Sequence, residues 1–234
     1  MEKNRFRAIM LLIFAGIAVS VWQFGFVEAI YSSSNVSPNE ETNLQNDRQW
    51  RFNVSNLTLE NATFAGGCFW CIEGAYMGVR GVESAISGYA GGEASTATYE
   101  QVLTGETNHR EAVRVRYYPS VVSYSELLDI FWRSIDPTDP GGQFSDRGFQ
   151  YTTAIYIHNE RQRELAIDSR ENLSESGRFD EPIVTKIKNY TTFFRAEDYH
   201  QNYSKKNTAQ YKAYERASGR KGFVNRVWDK SPLG

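Results

Sequence analysis

Residues 63–76 read TFAGGCFWCIEGAY and hold both cysteines of the 234-residue chain. The first half, in the wider ATFAGG, reads as a short strand that ends in a glycine turn. From Phe69 onward the apolar positions change to Phe69, Ile72, Tyr76 and Val79, a helical spacing. Cys68 therefore falls at a strand-to-helix junction. Cys71 falls one turn inside the helix.

The same alternation continues outward. VESAISGYAGG reads as a strand entering a glycine loop. EAVRVRYYP sets Val113, Val115 and Tyr117 against Arg114 and Arg116, the mark of a half-buried strand. Ser123 and Glu126 form a capping box ahead of Leu127, Leu128, Ile130 and Phe131, which starts a helix. Residues 136–150, DPTDPGGQFSDRGFQ, read as loop. YTTAIYIH is a further strand, 159–176 is helical up to Gly177, and PIVTKIKNY is a last strand. Strands and helices alternate, so the expected fold class is α/β (α+β), a two-layer arrangement of a mixed sheet with flanking helices. The pairing order does not follow from these patterns.

Around this domain, placed at 61–210, lie three segments of another kind. Lys3, Arg5 and Arg7 precede the apolar run AIMLLIFAGIAVSVW at 8–22. A cationic start followed by an apolar stretch is the pattern of export, and Val27-Glu28-Ala29 offers a cleavage site. Extended to Val27, the run also approaches the ~20 residues of a membrane span. Residues 1–30 are thus a signal peptide or an N-terminal anchor through 8–27. Either places the domain outside the cytoplasm. Residues 31–60 are polar and rich in Ser, Asn and Glu, a linker. Residues 211–234 read as a basic C-terminal tail. Asn-X-Ser/Thr triplets occur at Asn35, Asn53, Asn56, Asn61, Asn172, Asn189 and Asn202, candidate glycan acceptors if the host has the machinery.

Charge and composition narrow the function. The formal net charge of -2 at pH 7 gives no reason to expect a polyanionic partner. The cations between Lys205 and Lys230 fit no nucleic-acid motif and read as a solvated face or tail. The C-x-x-C pair admits three readings. A zinc site needs about four ligands, and the chain adds only His109, His158 and His200 to its two cysteines. A structural disulfide closing so short a loop removes little entropy from the unfolded chain. A redox-active pair suits the spacing best, since such thiols form an exchangeable bond with a lowered thiolate pKa. The unpaired N–H groups and positive dipole end at a helix start favour an anion at Cys68 over Cys71. That makes Cys68 the attacking thiolate and Cys71 the resolving thiol. Phe69 and Trp70 set an aromatic wall beside the nucleophile.

GGCFWCIE resembles the active-site motif of the type A peptide methionine sulfoxide reductases, Gly-Cys-Phe-Trp followed by Gly or Cys. The resemblance extends, in family order, through SGYAGG, TYEQVLTGETNHREAVRVRYYPSVVSYSELLDIFW, DPTDPGGQFSDRGFQYTTAIY and AEDYHQNY, from about residue 61 to 207. It implies a ferredoxin-like catalytic domain that reduces methionine S-sulfoxide, protein-bound or free. The implied steps are a Cys68 sulfenic acid, then a Cys68–Cys71 disulfide, then reduction by thioredoxin or a membrane-linked equivalent. The family's acid falls on Glu111, its phenol donors on Tyr99 and Tyr151, and its loop carboxylate on Asp146. Phe69 and Trp70 fall in the substrate wall. His200 matches a family segment but reads as a packed, hydrogen-bonded residue. No metal or organic cofactor is implied, and a monomer is expected. Unlike many relatives, the chain has no cysteine near its C-terminus, so Cys71 alone is left to resolve, with some unwinding of the first helical turn. A general thioredoxin-like thiol-disulfide oxidoreductase is the rival enzyme class. A surface-binding module is the non-enzymatic one.

Overall fold

The computed structural model describes residues 58–228. The leader or anchor at 8–27, the linker as far as 57, the acceptors Asn35, Asn53 and Asn56, and residues 229–234 lie outside the described residues. No described helix is long and apolar enough to cross a membrane.

In chain order the elements are β1 (Glu60–Ala65), α1 (Phe69–Tyr76), β2 (Val82–Ala90), α2 (Tyr99–Leu103), β3 (Arg110–Tyr117), α3 (Tyr124–Trp132), β4 (Gly142–Gln143), β5 (Asp146–Arg147), β6 (Ala154–Ile157), α4 (Glu160–Glu175), β7 (Lys186–Asn189), β8 (Phe193–Arg195), α5 (Tyr203–Lys206), α6 (Thr208–Ala217) and α7 (Arg220–Trp228). The main sheet runs β7-β6-β1-β3-β2-β8. Its four central strands, β6-β1-β3-β2, are antiparallel at every contact. Each of α1 and α3 returns the chain across one intervening strand. This is the split β-α-β of a ferredoxin-like fold. The parallel pairing of β7 with β6 makes the sheet mixed.

Period-two patterning decides what each face meets. On one face Phe64, Val113, Val115 and Ile155 join Ile72 and Tyr76 of α1 and Leu127, Leu128 and Phe131 of α3 in a single buried cluster. The Phe64 ring stacks on Tyr76 at 5.4 Å and on Phe131 at 5.2 Å. Truncating such a side chain to alanine costs about 3–5 kcal/mol. The opposite face carries Ala65, Ala90, Ala112 and Ala154 around Tyr156. The Ser123–Glu126 capping box is formed, and Asn159 caps α4 by accepting from the Gln162 N–H.

Two sequence expectations change. The 136–150 segment is not wholly irregular: it contains the short β4–β5 hairpin and the start of a tight turn at Phe149–Tyr151. The supposed basic tail from 211 is helical to 228. Lys212, Arg216, Lys221 and Arg226 are indeed solvated, while Ser218 and Arg220 are buried and Tyr211, Tyr214 and Phe223 half-buried. Those four cations sit on the outer side of these helices and mask an inward set of aromatic residues with Arg220.

Candidate active site

The β1-to-α1 turn exists because Gly67 takes a φ of +81°, where a side chain would also strike Gln143. Cys68 follows as the N-cap, with non-helical backbone, and α1 begins at Phe69. Cys68 and Cys71 are both reduced and both buried. Their thiols hydrogen-bond to one another.

Glu111 arrives by strand register. It continues the row Val113, Val115, Tyr117 on the helix-covered face of β3, at the end that meets the start of α1. Its Oε2 accepts the Phe69 N–H at 2.9 Å. Only 3% of Glu111 is exposed. Burial, aided by Asp146 and Cys71 and opposed by the Phe69 N–H, pushes its carboxyl up to about 8. Glu111 is therefore a neutral acid at pH 7.

The thiols differ from expectation. Burial pushes the Cys68 thiol well above its usual range, and Cys71 and Glu111 add to that. The hydrogen bond from Cys68 instead draws Cys71 down against its own burial, with help from Arg220. Burial is the larger reason, and the helix start offers Cys68 less than expected because the Phe69 N–H donates to Glu111. The resting pair is a Cys68 thiol donating toward Cys71, and the Tyr214 hydroxyl is the one neighbour that lowers Cys68.

Cys68, Phe69, Trp70, Tyr99, Glu111, Asp146, Tyr151 and Tyr214 line one pocket of about 140 Å³. The structure thus brings together seven of the eight residues singled out in the sequence. Cys71, the eighth, lines a different cavity. Tyr99 is placed by its N–H, which donates to Glu197 Oε1 at 3.0 Å. Tyr151 closes the turn after the β4–β5 hairpin, which carries Asp146. Burial raises both phenols, so both are hydroxyl donors. Trp70 is held on three sides. Its Nε1 donates to His200 Nδ1 at 3.1 Å, its ring stacks on Tyr203 at 3.7 Å, and Tyr214 meets it edge-on at 6.1 Å. His200 is thus the packed, hydrogen-bonded residue expected, lying against Phe69 and Tyr99.

Sequence reasoning missed Tyr214 and Arg220. Tyr214 donates to Asp146 Oδ2. Arg220, from the start of α7, donates to the backbone carbonyls of Ser134 and Gly66, which pins the active-site turn. The signal was the Tyr211, Tyr214 and Ser218 spacing, hidden among cations. Among the described residues no group of three His, Cys, Asp or Glu gathers as a metal set. The arrangement offers a thiol facing a neutral acid and two phenols in a small aromatic pocket, suited to protonating an oxygen while sulfur attacks its neighbour.

The family model described as Peptide methionine sulfoxide reductase matches residues 60–232. Peptide methionine sulfoxide reductase MsrA of Bacillus subtilis is 50% identical over 169 residues, covering 72% of this chain and 96% of that protein. MsrA 2 of Staphylococcus aureus is 46% identical over 172 residues, covering 74% and 97%. Among solved structures, reduced Mxr1 from Saccharomyces cerevisiae superposes with a TM-score of 0.59 at 32% identity, over 66% of this chain and 92% of that one. Methionine sulfoxide reductase A of Corynebacterium diphtheriae gives 0.57 at 33%, over 64% and 76%.

Proposed function

The chain belongs to the peptide methionine sulfoxide reductase family, and on that premise we propose that its pocket reduces the S-epimer of methionine sulfoxide through Cys68. The observation that carries the reading is the buried, neutral Glu111 set against the helix turn that presents Cys68. A sulfoxide sulfur is weakly electrophilic and its oxygen leaves poorly, so the oxygen must be protonated as the thiol attacks. Glu111 donates that proton, Tyr99 and Tyr151 hydrogen-bond the oxygen, and Phe69 and Trp70 hold the S-methyl.

As the Cys68 sulfur bonds to the substrate sulfur, its proton replaces the one that Glu111 gives to the oxygen, so the carboxyl ends neutral again. Oxygen is transferred, methionine leaves, and Cys68 is left as a sulfenic acid. The Cys71 thiol condenses with it, releasing water and forming the 68–71 disulfide. A dithiol of thioredoxin type then returns both sulfurs to thiols. Tyr214 and Asp146 orient the attacking side of the pocket.

The same reading sets the domain outside the cytoplasm as a monomer, released or tethered through 8–27. Its support is the cationic start and apolar run of the N-terminus. N-terminal sequencing of the mature protein separates release from tethering. For the chemistry, wild-type protein incubated with N-acetylmethionine S-sulfoxide and dithiothreitol is expected to turn over, and Cys68→Ser to lose activity by about 10⁴-fold or more. Peptide mapping after one turnover without reductant is expected to show a 68–71 bond. Insulin reduction without sulfoxide turnover would instead mark a general disulfide oxidoreductase.

A further inference from the structure

The dithiol stands between two cavities that share no lining residue. Cys68 lines the pocket described above. Cys71 lines a second cavity of about 270 Å³, whose wall includes Arg133, Tyr211, Glu215, Arg220 and Lys221. Helix α6 contributes to both, Tyr214 to the first and Tyr211 and Glu215 to the second. The charges on the two sides differ. Asp146 and the neutral Glu111 flank Cys68, with no cation in the lining. Arg133, Arg220 and Lys221 flank Cys71, with Glu215 the one acidic residue in the lining and Asp129 paired to Arg133 outside it. Arg220 is fixed there by its two carbonyl partners, and Arg133 is held by Asp129 and the Trp228 ring.

We propose that the Cys71 cavity is the reductant's binding site, separate from the sulfoxide pocket, and that it selects thiols carrying negative charge. The inference rests on the 68–71 disulfide of the proposed function. A thiolate attacks a disulfide sulfur from the side away from the leaving sulfur, so a thiol that expels Cys68 must reach Cys71 from beyond it. The second cavity lies against Cys71 without any residue of the first. The entering RS⁻ bonds to Cys71 and the S–S electron pair leaves on Cys68, which takes a proton. A second RS⁻ attacks the mixed disulfide, releasing RSSR and Cys71 as a thiolate. Two thiols thus supply the two electrons. An anionic thiol approaching through the first pocket meets Asp146 and no cation instead, and steering favours the cationic side.

The test uses the full chain. One turnover of N-acetylmethionine S-sulfoxide without reductant is measured first. Failure to yield one thioether per protein and to consume both thiols overturns the proposed function and this inference with it. When that step succeeds, stopped-flow reduction of the disulfide is followed with 2-mercaptoethanesulfonate, 2-mercaptoethanol and cysteamine, compared at equal thiolate concentration. The expected order is anionic, neutral, cationic, spanning about tenfold at low salt and shrinking toward unity at high salt. The trapped mixed disulfide is expected on Cys71. The paired change Arg133→Glu with Lys221→Glu is expected to invert the order, and this ratio is insensitive to the fraction of folded protein. Equal rates for the three thiols at low salt, a cationic preference in wild type, or an adduct on Cys68 overturns the inference while leaving the sulfoxide chemistry standing.

Discussion

Two carboxyls lie buried against helix α1, one meeting its first N–H and one carried within it. Glu111 accepts a single backbone N–H, from Phe69. Glu73 accepts two, the Asn202 N–H on Oε1 at 3.0 Å and the Tyr203 N–H on Oε2 at 3.3 Å. Burial raises both groups, and in Glu73 the two donors pull back against it. The difference lies in what each oxygen faces. Both oxygens of Glu73 are occupied, so it clamps the segment leading into α5 against α1. Glu111 faces the pocket with one N–H contact, so it keeps a proton available for an incoming oxygen. Burial alone does not make an acid; a buried carboxyl also needs few donors and an open side.

The widest separation between the two is expected in turnover. Glu111→Gln keeps the shape and the Phe69 contact but has no acidic proton, and about a 10²-fold or greater fall in kcat is expected. Glu73→Gln should stay within about threefold, since neither it nor its partners Asn202 and Tyr203 line the pocket. Steady-state rates on N-acetylmethionine S-sulfoxide check both. Comparable losses in the two variants would break the distinction.

The next effect is in pH. Glu111 acts only while protonated, and its carboxyl ionises near 8. The rate is expected to fall about tenfold per pH unit above that point, and the residual rate of Glu111→Gln should lack this step. Stability carries the same signature with its own sign. The folded carboxyl is raised above the ordinary 4.5, so its contribution is fully present below about 4.5 and is lost as pH rises toward 8. At pH 8 Glu111→Gln is expected to be more stable than wild type by on the order of a few kcal/mol, because it removes that cost. Urea melts at pH 5 and pH 8 measure the difference. An inactive variant with no gain at pH 8 would contradict a raised acid.

Glu73→Gln is expected to move stability the other way, by about 1–3 kcal/mol at neutral pH. One of its oxygens becomes an NH₂ that faces an N–H instead of accepting from it. The loss should concentrate in hydrogen exchange of Asn202 and Tyr203.

These two residues also mark how far the sequence could be read. The alternation of 113–117 marked β3, and the C-x-x-C placed Cys68 at a helix start, because local periodicity is written in neighbouring residues. Glu111, Tyr99, Tyr151 and Asp146 were legible only through the family resemblance, since a strand-start carboxyl or a lone phenol carries no local mark of a pocket. Glu73 gave no such signal: its partners lie about 130 positions away, and nothing local announces them. The same holds for Tyr214 and Arg220, whose helices carry enough exposed charge to look like a tail. The strand order was illegible for a related reason, since pairing of β1 between β3 and β6 depends on contacts between distant segments. The expected Cys68 anion took no account of burial, which raises that thiol, nor of Cys71 and Glu111 beside it.

Tyr214 sets the smallest and most specific effect. Its hydroxyl donates to Asp146, and it is the only neighbour that lowers the Cys68 thiol among those acting on it. Its ring meets Trp70 edge-on. Tyr214→Phe keeps the ring and that aromatic contact but removes the hydroxyl, so the substrate wall should stay in place while Cys68 becomes harder to ionise. Turnover is expected to fall about threefold to tenfold with KM little changed. Alkylation of Cys68 by iodoacetamide in the Cys71→Ser background should slow by a similar factor at fixed pH. The two readouts are tied: a rate loss without slower alkylation would mean that Tyr214 acts on the substrate rather than on the sulfur. Equal rates for both in Tyr214→Phe would return the attacking side of the pocket to Glu111 and the two phenols alone.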